Sequence, residues 1–285
     1  GRVQRFRDGF TRLPPPANIH RRLGDDERSA RHAAHELGWL MAAELRAVGV
    51  DFSFAPVADV DYGVSEVIGD RAFADDPQTV GRLAGAWMLG AREAGMISVG
   101  KHFPGHGGVA ADSHLALPVD DRPADELTRQ DLSPFRHLID NGLEAVMPAH
   151  VVYPDCDSQP AGFSAYWLRE VLRGQLQFTG AIFSDDLDMA AAAIGGGFAE
   201  RAGAALAAGC DMVLVCNNPD GAGEVLDALG DYHDPVAHSR LARLHGRPAM
   251  DRAKLSRNSR WQRAVALADR INAETTVDLD LEEPI

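Results

Sequence analysis

The chain repeats one pattern, in which an amphipathic helix precedes a short apolar segment that ends in polar residues. The predicted helices begin near residues 28, 77, 133, 164, 198 and 220. The predicted strands are 52–57, 97–100, 145–147, 181–183 and 212–215. Because a chain that alternates helices with strands crosses back over its sheet between strands, the strands are predicted to be parallel. The pattern therefore predicts an α/β protein.

Polar or ionisable residues follow every predicted strand. These exits hold Asp59 and Asp61, then Lys101-His102, Pro148-Ala-His150, Ser184-Asp-Asp186 and Asn217-Asn218. The carboxyl ends of parallel strands are where α/β barrels and open α/β sheets place their sites. A closed barrel needs eight strands, so five predict either an open sheet or a barrel whose first three units precede residue 1.

Composition excludes several classes of partner. The formal net charge is −14 and the 28 Lys and Arg residues are scattered, so binding to nucleic acid or to an anionic membrane surface is not expected. No apolar run approaches the roughly 20 residues that span a bilayer. Three cysteines without a CxxC pair fit a reducing compartment.

The segment 101–114 is longer than an ordinary strand-to-helix connection and holds Lys101, His102, His106, Asp112 and His114. A loop of that length with so many ionisable residues favours a functional role. In Asp112-Ser-His114, a carboxylate bonded to one ring nitrogen leaves the other nitrogen free to carry a proton. On spacing alone, a purely structural hydrogen bond within the loop explains this pair equally well.

Two carboxylates, Asp185 and Asp186, end a buried strand. Such groups are costly there unless they are solvated or paired, which favours function. One of them is expected to project into the mouth of the site as a nucleophile or metal ligand, while its neighbour points elsewhere and caps the next helix. The alternative is that both carboxylates only cap the backbone of a helix or loop.

These motifs resemble the bacterial β-N-acetylglucosaminidases of glycoside hydrolase family 3, the cytosolic enzymes of peptidoglycan recycling. The matching segments are 1–7, 54–57, 68–71, 100–107, 111–114, 147–150, 182–187, 210–212 and 214–218. The resemblance implies that Asp185 is the nucleophile and that His114 is the acid/base, with Asp112 as its partner. It also implies a set of sugar-binding residues, namely Arg5, Arg71, Lys101 and His102.

The resemblance implies a (β/α)8 TIM barrel of which the last five strands are present. Residues 1–245 would form the catalytic barrel without its first three strands, and residues 246–285 a C-terminal helix and acidic tail. The family carries a sugar-gripping Asp just before the segment that matches 1–7. That ligand is therefore expected to be absent from this chain.

The implied reaction is retaining hydrolysis of terminal β-linked N-acetylglucosamine from a muropeptide (GlcNAc-anhydroMurNAc) by a cytoplasmic monomer without metal or cofactor. One alternative is a phosphorylase, because an imidazole acid/base repels phosphate less than a carboxylate does. A second is a metal-dependent hydrolase with a cage of His102, His106, His114, His150 and Asp185. A third is an inactive sugar-binding fragment.

Overall fold

The computed structural model describes residues 4–110 and 117–277. Its strands are β1 (Phe52–Ser53), β2 (Ile97–Phe103), β3 (Ala145–Pro148), β4 (Val152–Tyr153), β5 (Asp157–Pro160), β6 (Ala181–Asp186) and β7 (Met212–Leu214). Five of them pair in parallel in the order β1-β2-β3-β6-β7, whereas β4 and β5 form an antiparallel hairpin. The five-stranded sheet curls into a half-barrel. The predicted α/β class and the five parallel strands are confirmed.

Along the chain, helices precede the first strand, separate later strands and follow the last one. In the described part of the chain they are α1 (Pro16–Leu23), α2 (Glu27–Arg46), α3 (Pro77–Glu93), α4 (Ala124–Arg129), α5 (Leu132–Asp140), α6 (Phe198–Ala208), α7 (Pro219–Ala228), α8 (Pro235–Leu241), α9 (Arg252–Leu255) and α10 (Ser259–Val277). Residues Tyr166–Gln175 form a π-helix. None of these helices is both long and apolar enough to cross a bilayer.

Several helices begin where local chemistry predicts them. The Asp76 side chain accepts a hydrogen bond from the backbone N–H of Thr79, and Pro77 occupies the first position of α3, where no N–H is needed. Asn218 caps α7 in the same way, through the N–H of Gly221. These caps fix where each helix starts relative to the strand before it.

Two strands differ in length from their predicted bounds. The strand predicted at 52–57 keeps a regular ladder only at Phe52–Ser53, because the chain turns at Ala55, whose N–H donates to the Ser53 carbonyl at 2.8 Å. Beyond the turn, the carbonyls of Ala55 and Pro56 accept hydrogen bonds from the N–H groups of Val99 and Lys101, and Val57 bridges to Lys101. Strand β2 runs past its predicted end at residue 100 as far as Phe103, so two ionisable residues belong to the strand itself.

Aromatic and aliphatic side chains fill the concave side of the sheet. The Phe183 ring lies 5.4 Å from the Phe52 ring and 5.5 Å from the Phe54 ring, centroid to centroid. Val99 and Met147 join the same cluster. This packing supports the strands from within, below the polar residues at their carboxyl ends.

The amino-terminal end of the sheet is covered by α8 and the residues that follow it. Leu244 and Leu241 pack against the cluster that contains Phe183. Buried Asp211 precedes β7 and forms ion pairs with Arg173 at 2.9 Å and with Arg240 of α8 at 2.8 Å. These contacts close the sheet at the end opposite its polar exits.

Candidate active site

Asp59 holds His102 at the mouth of the half-barrel. Its buried carboxylate accepts hydrogen bonds from the His102 backbone N–H at 3.1 Å and from the His106 backbone N–H at 2.7 Å. The ring Nδ1 of His102 lies 2.7 Å from Asp59 Oδ2. Because an ionised carboxylate only accepts, Nδ1 carries the ring proton and Nε2 presents its lone pair.

The pKa values of His102 and Asp59 agree with a neutral ring that is protonated on Nδ1. Burial lowers the pKa of His102 to about 4 despite the opposing charge of Asp59, so the ring is neutral at pH 7. Burial raises the pKa of Asp59, but the neighbouring His102 and His106 more than offset it and hold that pKa below its ordinary value. The pair is therefore a carboxylate bonded to a neutral imidazole.

Lys101, next to His102 on β2, is the cation of the site. Burial lowers its pKa to about 8, and the positive charge of Arg71 acts in the same direction. The carboxylate of Asp185 opposes this shift. Lys101 therefore remains mostly protonated at pH 7, with its Nζ 5.8 Å from the centre of the Phe54 ring.

A cavity of about 420 Å³ brings together three of the predicted sugar-binding residues, Arg5, Arg71 and Lys101. Apolar rings line the same cavity, including Phe54 and Phe73. Arg5 is exposed, whereas Arg71 is half-buried and donates to the Val67 carbonyl at 3.0 Å. Cationic donors beside aromatic rings suit a sugar, which offers hydroxyl oxygens at its edge and C–H groups on its faces.

Asp185 stands at the end of β6. Its Oδ1 accepts the backbone N–H of Asp186 at 2.8 Å. Burial raises its pKa, but His102, His150 and Lys101 together outweigh burial and hold the pKa below its ordinary value. Because His102 is neutral at pH 7, Lys101 supplies much of the positive charge there. Asp185 is thus kept as a carboxylate anion inside the protein.

Asp186 turns away from this cluster. Its Oδ1 accepts the backbone N–H of Asp188 at 3.0 Å and that of Cys216 at 3.0 Å. The expectation that the second carboxylate points elsewhere and caps is met, although it caps loop backbone after β6 and β7 rather than a helix. The two adjacent carboxylates therefore have different hydrogen-bond partners.

The cavity brings Arg5 and Arg71 together with Lys101, and Lys101 and His102 are close enough to Asp185 for their charges to lower its pKa. The predicted acid/base residues Asp112 and His114 lie outside the described residues. Sequence reasoning assigned no role to Asp59 and named His150 only as a member of the metal-cage alternative. Asp59 follows its strand by two residues, which is a usable signal, but only the fold shows that it reaches a residue 43 positions away.

The metal-cage alternative rests on a cluster of His and Asp side chains. Within residues 4–110 and 117–277, no group of three or more His, Cys, Asp or Glu side chains is arranged to hold a metal ion. Nδ1 of His102 is also bonded to Asp59, which leaves one nitrogen of that ring for any other contact.

Three comparisons place the chain among known proteins. A sequence model of the glycosyl hydrolase family 3 N terminal domain matches residues 1–243. A β-hexosaminidase of Thioalkalivibrio sulfidiphilus is 57% identical over 282 residues, which cover 99% of this chain and 81% of that protein. One of Thiobacillus denitrificans is 54% identical over 286 residues and covers 100% and 79%.

Solved structures agree with these relatives. The structure of NagZ from Neisseria gonorrhoeae in complex with N-trifluoroacetyl-D-glucosamine matches with a TM-score of 0.88 and 44% identity, covering 95% of this chain and 79% of that chain. A family 3 β-N-acetylglucosaminidase from Paenibacillus matches with a TM-score of 0.82 and 30% identity, covering 95% and 54%.

Proposed function

The chain belongs to glycosyl hydrolase family 3, and we propose that it is a β-N-acetylhexosaminidase that releases terminal β-linked N-acetylglucosamine with retention of configuration. The observation that carries the proposal is the anionic Asp185 carboxylate, held at the end of β6 beside Lys101 and His102. A retaining glycosidase needs such a nucleophile facing the anomeric carbon.

In the first step, Asp185 attacks the anomeric carbon and forms a covalent glycosyl-enzyme, while His114 protonates the departing oxygen. In the second step, His114 removes a proton from water, which then displaces Asp185. Asp112 stabilises the imidazolium form of His114. A His with an ordinary pKa of about 6.5 suits both half-reactions near neutral pH. The roles of His114 and Asp112 rest on the sequence motif.

The sugar would lie against the cavity that Arg5, Arg71 and Lys101 share. Their N–H groups donate to sugar hydroxyls, whereas the Nε2 lone pair of His102 accepts a hydrogen bond from one of those hydroxyls. Donors and an acceptor together fix the orientation of the ring, which brings its anomeric carbon over Asp185.

The proposal also covers the complete fold, the substrate and the cellular role of the enzyme. The half-barrel would belong to a (β/α)8 barrel, residues 1–245 to its catalytic domain, and residues 246–285 to a C-terminal helix and tail. The substrate would be a GlcNAc-anhydroMurNAc muropeptide, cleaved by a cytoplasmic monomer during peptidoglycan recycling. The 44% identity to NagZ over most of the chain supports this setting.

Hydrolysis of two substrates tests the acid/base role. His114→Ala should slow release from a GlcNAc disaccharide by about 10²- to 10⁴-fold and affect a 4-nitrophenyl glycoside much less, because nitrophenolate leaves without protonation. ¹H NMR of the first product should show the β-anomer. Exposed His32 provides the control His32→Ala, which should change neither rate.

Equal losses on both substrates would remove His114 from the acid role. An α-anomer as first product, or no hydrolysis of either substrate by the unsubstituted chain, would overturn the proposed function itself.

A further inference from the structure

His150 lies two residues beyond β3 and has no exposed surface. Its ring stacks on Phe163 with centroids 5.2 Å apart and planes at 13°. Gly162 packs so closely that a Cβ added there would lie 3.1 Å from Nδ1 of the ring. The Gly162 N–H also donates to the carbonyl of Ala149 at 3.1 Å. The ring is therefore held in one orientation by the chain that returns from the β4–β5 hairpin.

Neither ring nitrogen of His150 has a hydrogen-bond partner in the part of the chain that the structure describes. Burial lowers its pKa, so the ring is neutral at pH 7 and carries one N–H and one lone pair. Leaving a buried donor without a partner is unfavourable, and a core position this tightly packed would accept an apolar side chain instead. Packing alone does not explain an imidazole here.

Strands β3 and β6 pair in parallel, with Ala145 opposite Ala181 and Val146 opposite Ile182, so His150, just beyond β3, lies beside the end of β6. After burial, the largest influences on the pKa of His150 come from that end, namely the charges and backbone groups of Asp185 and Asp186. Among the described residues, Lys101 and His102 of β2 and Cys216 after β7 also interact electrostatically with Asp185. His102 is already bonded to Asp59, whereas neither ring nitrogen of His150 is hydrogen-bonded within the described part of the chain, so its N–H is available to act on the end of β6.

We propose that His150 is a positioning residue for Asp185, with its ring N–H directed at the end of β6 so that the carboxylate stays ionised and correctly oriented. This role rests on the proposed function of Asp185 as nucleophile. The Asp186 N–H already holds Oδ1 of that carboxylate, and the N–H dipole of the fixed His150 ring would add a favourable field from the neighbouring strand exit. A neutral donor does this without adding a charge that would weaken the nucleophile.

The direct test is to measure the pKa of Asp185 in the full chain from the ¹³C NMR signal of its side-chain carboxyl. The Asp185→Asn variant identifies that signal. His150→Leu removes both nitrogens at similar volume and should raise that pKa by about one unit. His150→Gln keeps an N–H donor and should restore most of the original value. His137→Leu, at an exposed position on α5, is the control and should leave the pKa of Asp185 unchanged. An unchanged Asp185 pKa in a folded His150→Leu variant would overturn the role.

A reciprocal measurement needs no substitution at position 150 and covers a variant that does not fold. The ¹⁵N shifts of the His150 ring, compared between the unsubstituted chain and Asp185→Asn, should differ because the N–H loses its charged neighbour. Identical shifts would contradict the role. Neither NMR measurement requires turnover, so a failure of the proposed function would not hide the result.

If the chain hydrolyses the nitrophenyl glycoside, His150→Leu should lower kcat about tenfold with little change in KM.

Discussion

Two aspartates at opposite ends of the same sheet, Asp211 and Asp185, are held in opposite ways. Asp211 is paired with Arg173 and Arg240, and its Oδ2 also accepts the Ile182 backbone N–H at 2.8 Å. Asp185 accepts one backbone N–H and has no ion pair within 4 Å among the described residues. The charge of Lys101 acts on Asp185, but the two side chains form no ion pair. A fully satisfied carboxylate stabilises the fold, whereas an incompletely satisfied one is left free to react.

Asparagine at each position separates these roles most strongly in activity. Asp185→Asn should lower kcat for the nitrophenyl glycoside by about 10⁴-fold or more, because an amide is not a nucleophile. Asp211→Asn, measured below its unfolding transition, should keep the kcat of the unsubstituted chain. Comparable losses of kcat in the two variants would contradict the view that the paired Asp211 serves the fold and the incompletely paired Asp185 serves catalysis.

Stability should show the reverse order. Asp211→Asn should lower the free energy of unfolding by about 3 kcal/mol, because it leaves Arg173 and Arg240 without a counter-charge. Asp185→Asn should leave that free energy unchanged or raise it. Urea denaturation measures both. Exposed Asp125, paired with Arg129, gives a control: Asp125→Asn should change stability by less than about 1 kcal/mol.

The smallest expected effect concerns the cation beside Asp185. Because Lys101 is charged below its pKa of about 8 and neutral above it, kcat/KM should fall as pH rises through about 8. Lys101→Arg keeps the charge to higher pH, so the alkaline limb of its profile should move upward even if its maximum rate is lower. An alkaline limb at the same pH in both proteins would assign that limb to another group.

The sequence predicted the elements whose formation depends on neighbouring residues along the chain. Helical spacing and caps such as Asp76 gave the helices, and apolar runs gave the five strands in their correct parallel arrangement. The irregular path after Ser53 was missed, because the carbonyls and N–H groups that replace its ladder come from residues of β2. The β4–β5 hairpin was missed because its strands are very short and lack clear alternation.

In the candidate site, too, some residues could be predicted from their place along the chain and others only from the folded structure. The sequence pointed to Lys101, His102 and Asp185 because each stands at the carboxyl end of a buried strand, and β2 and β6 both pair in parallel with β3, which brings those ends to one edge. The contact between Asp59 and His102 depends on how two strand exits fold over one another. The surroundings of His150 depend on a segment that returns to cover it. No spacing rule encodes either arrangement.

The identity of the nucleophile is the central claim, and covalent trapping tests it most directly. A 2-deoxy-2-fluoro sugar with a good leaving group should form a glycosyl-enzyme that hydrolyses slowly, because fluorine destabilises both transition states while the leaving group speeds only the first step. Peptide mapping by mass spectrometry should then place one sugar on Asp185. A label on Asp186 or on any other residue would contradict the account.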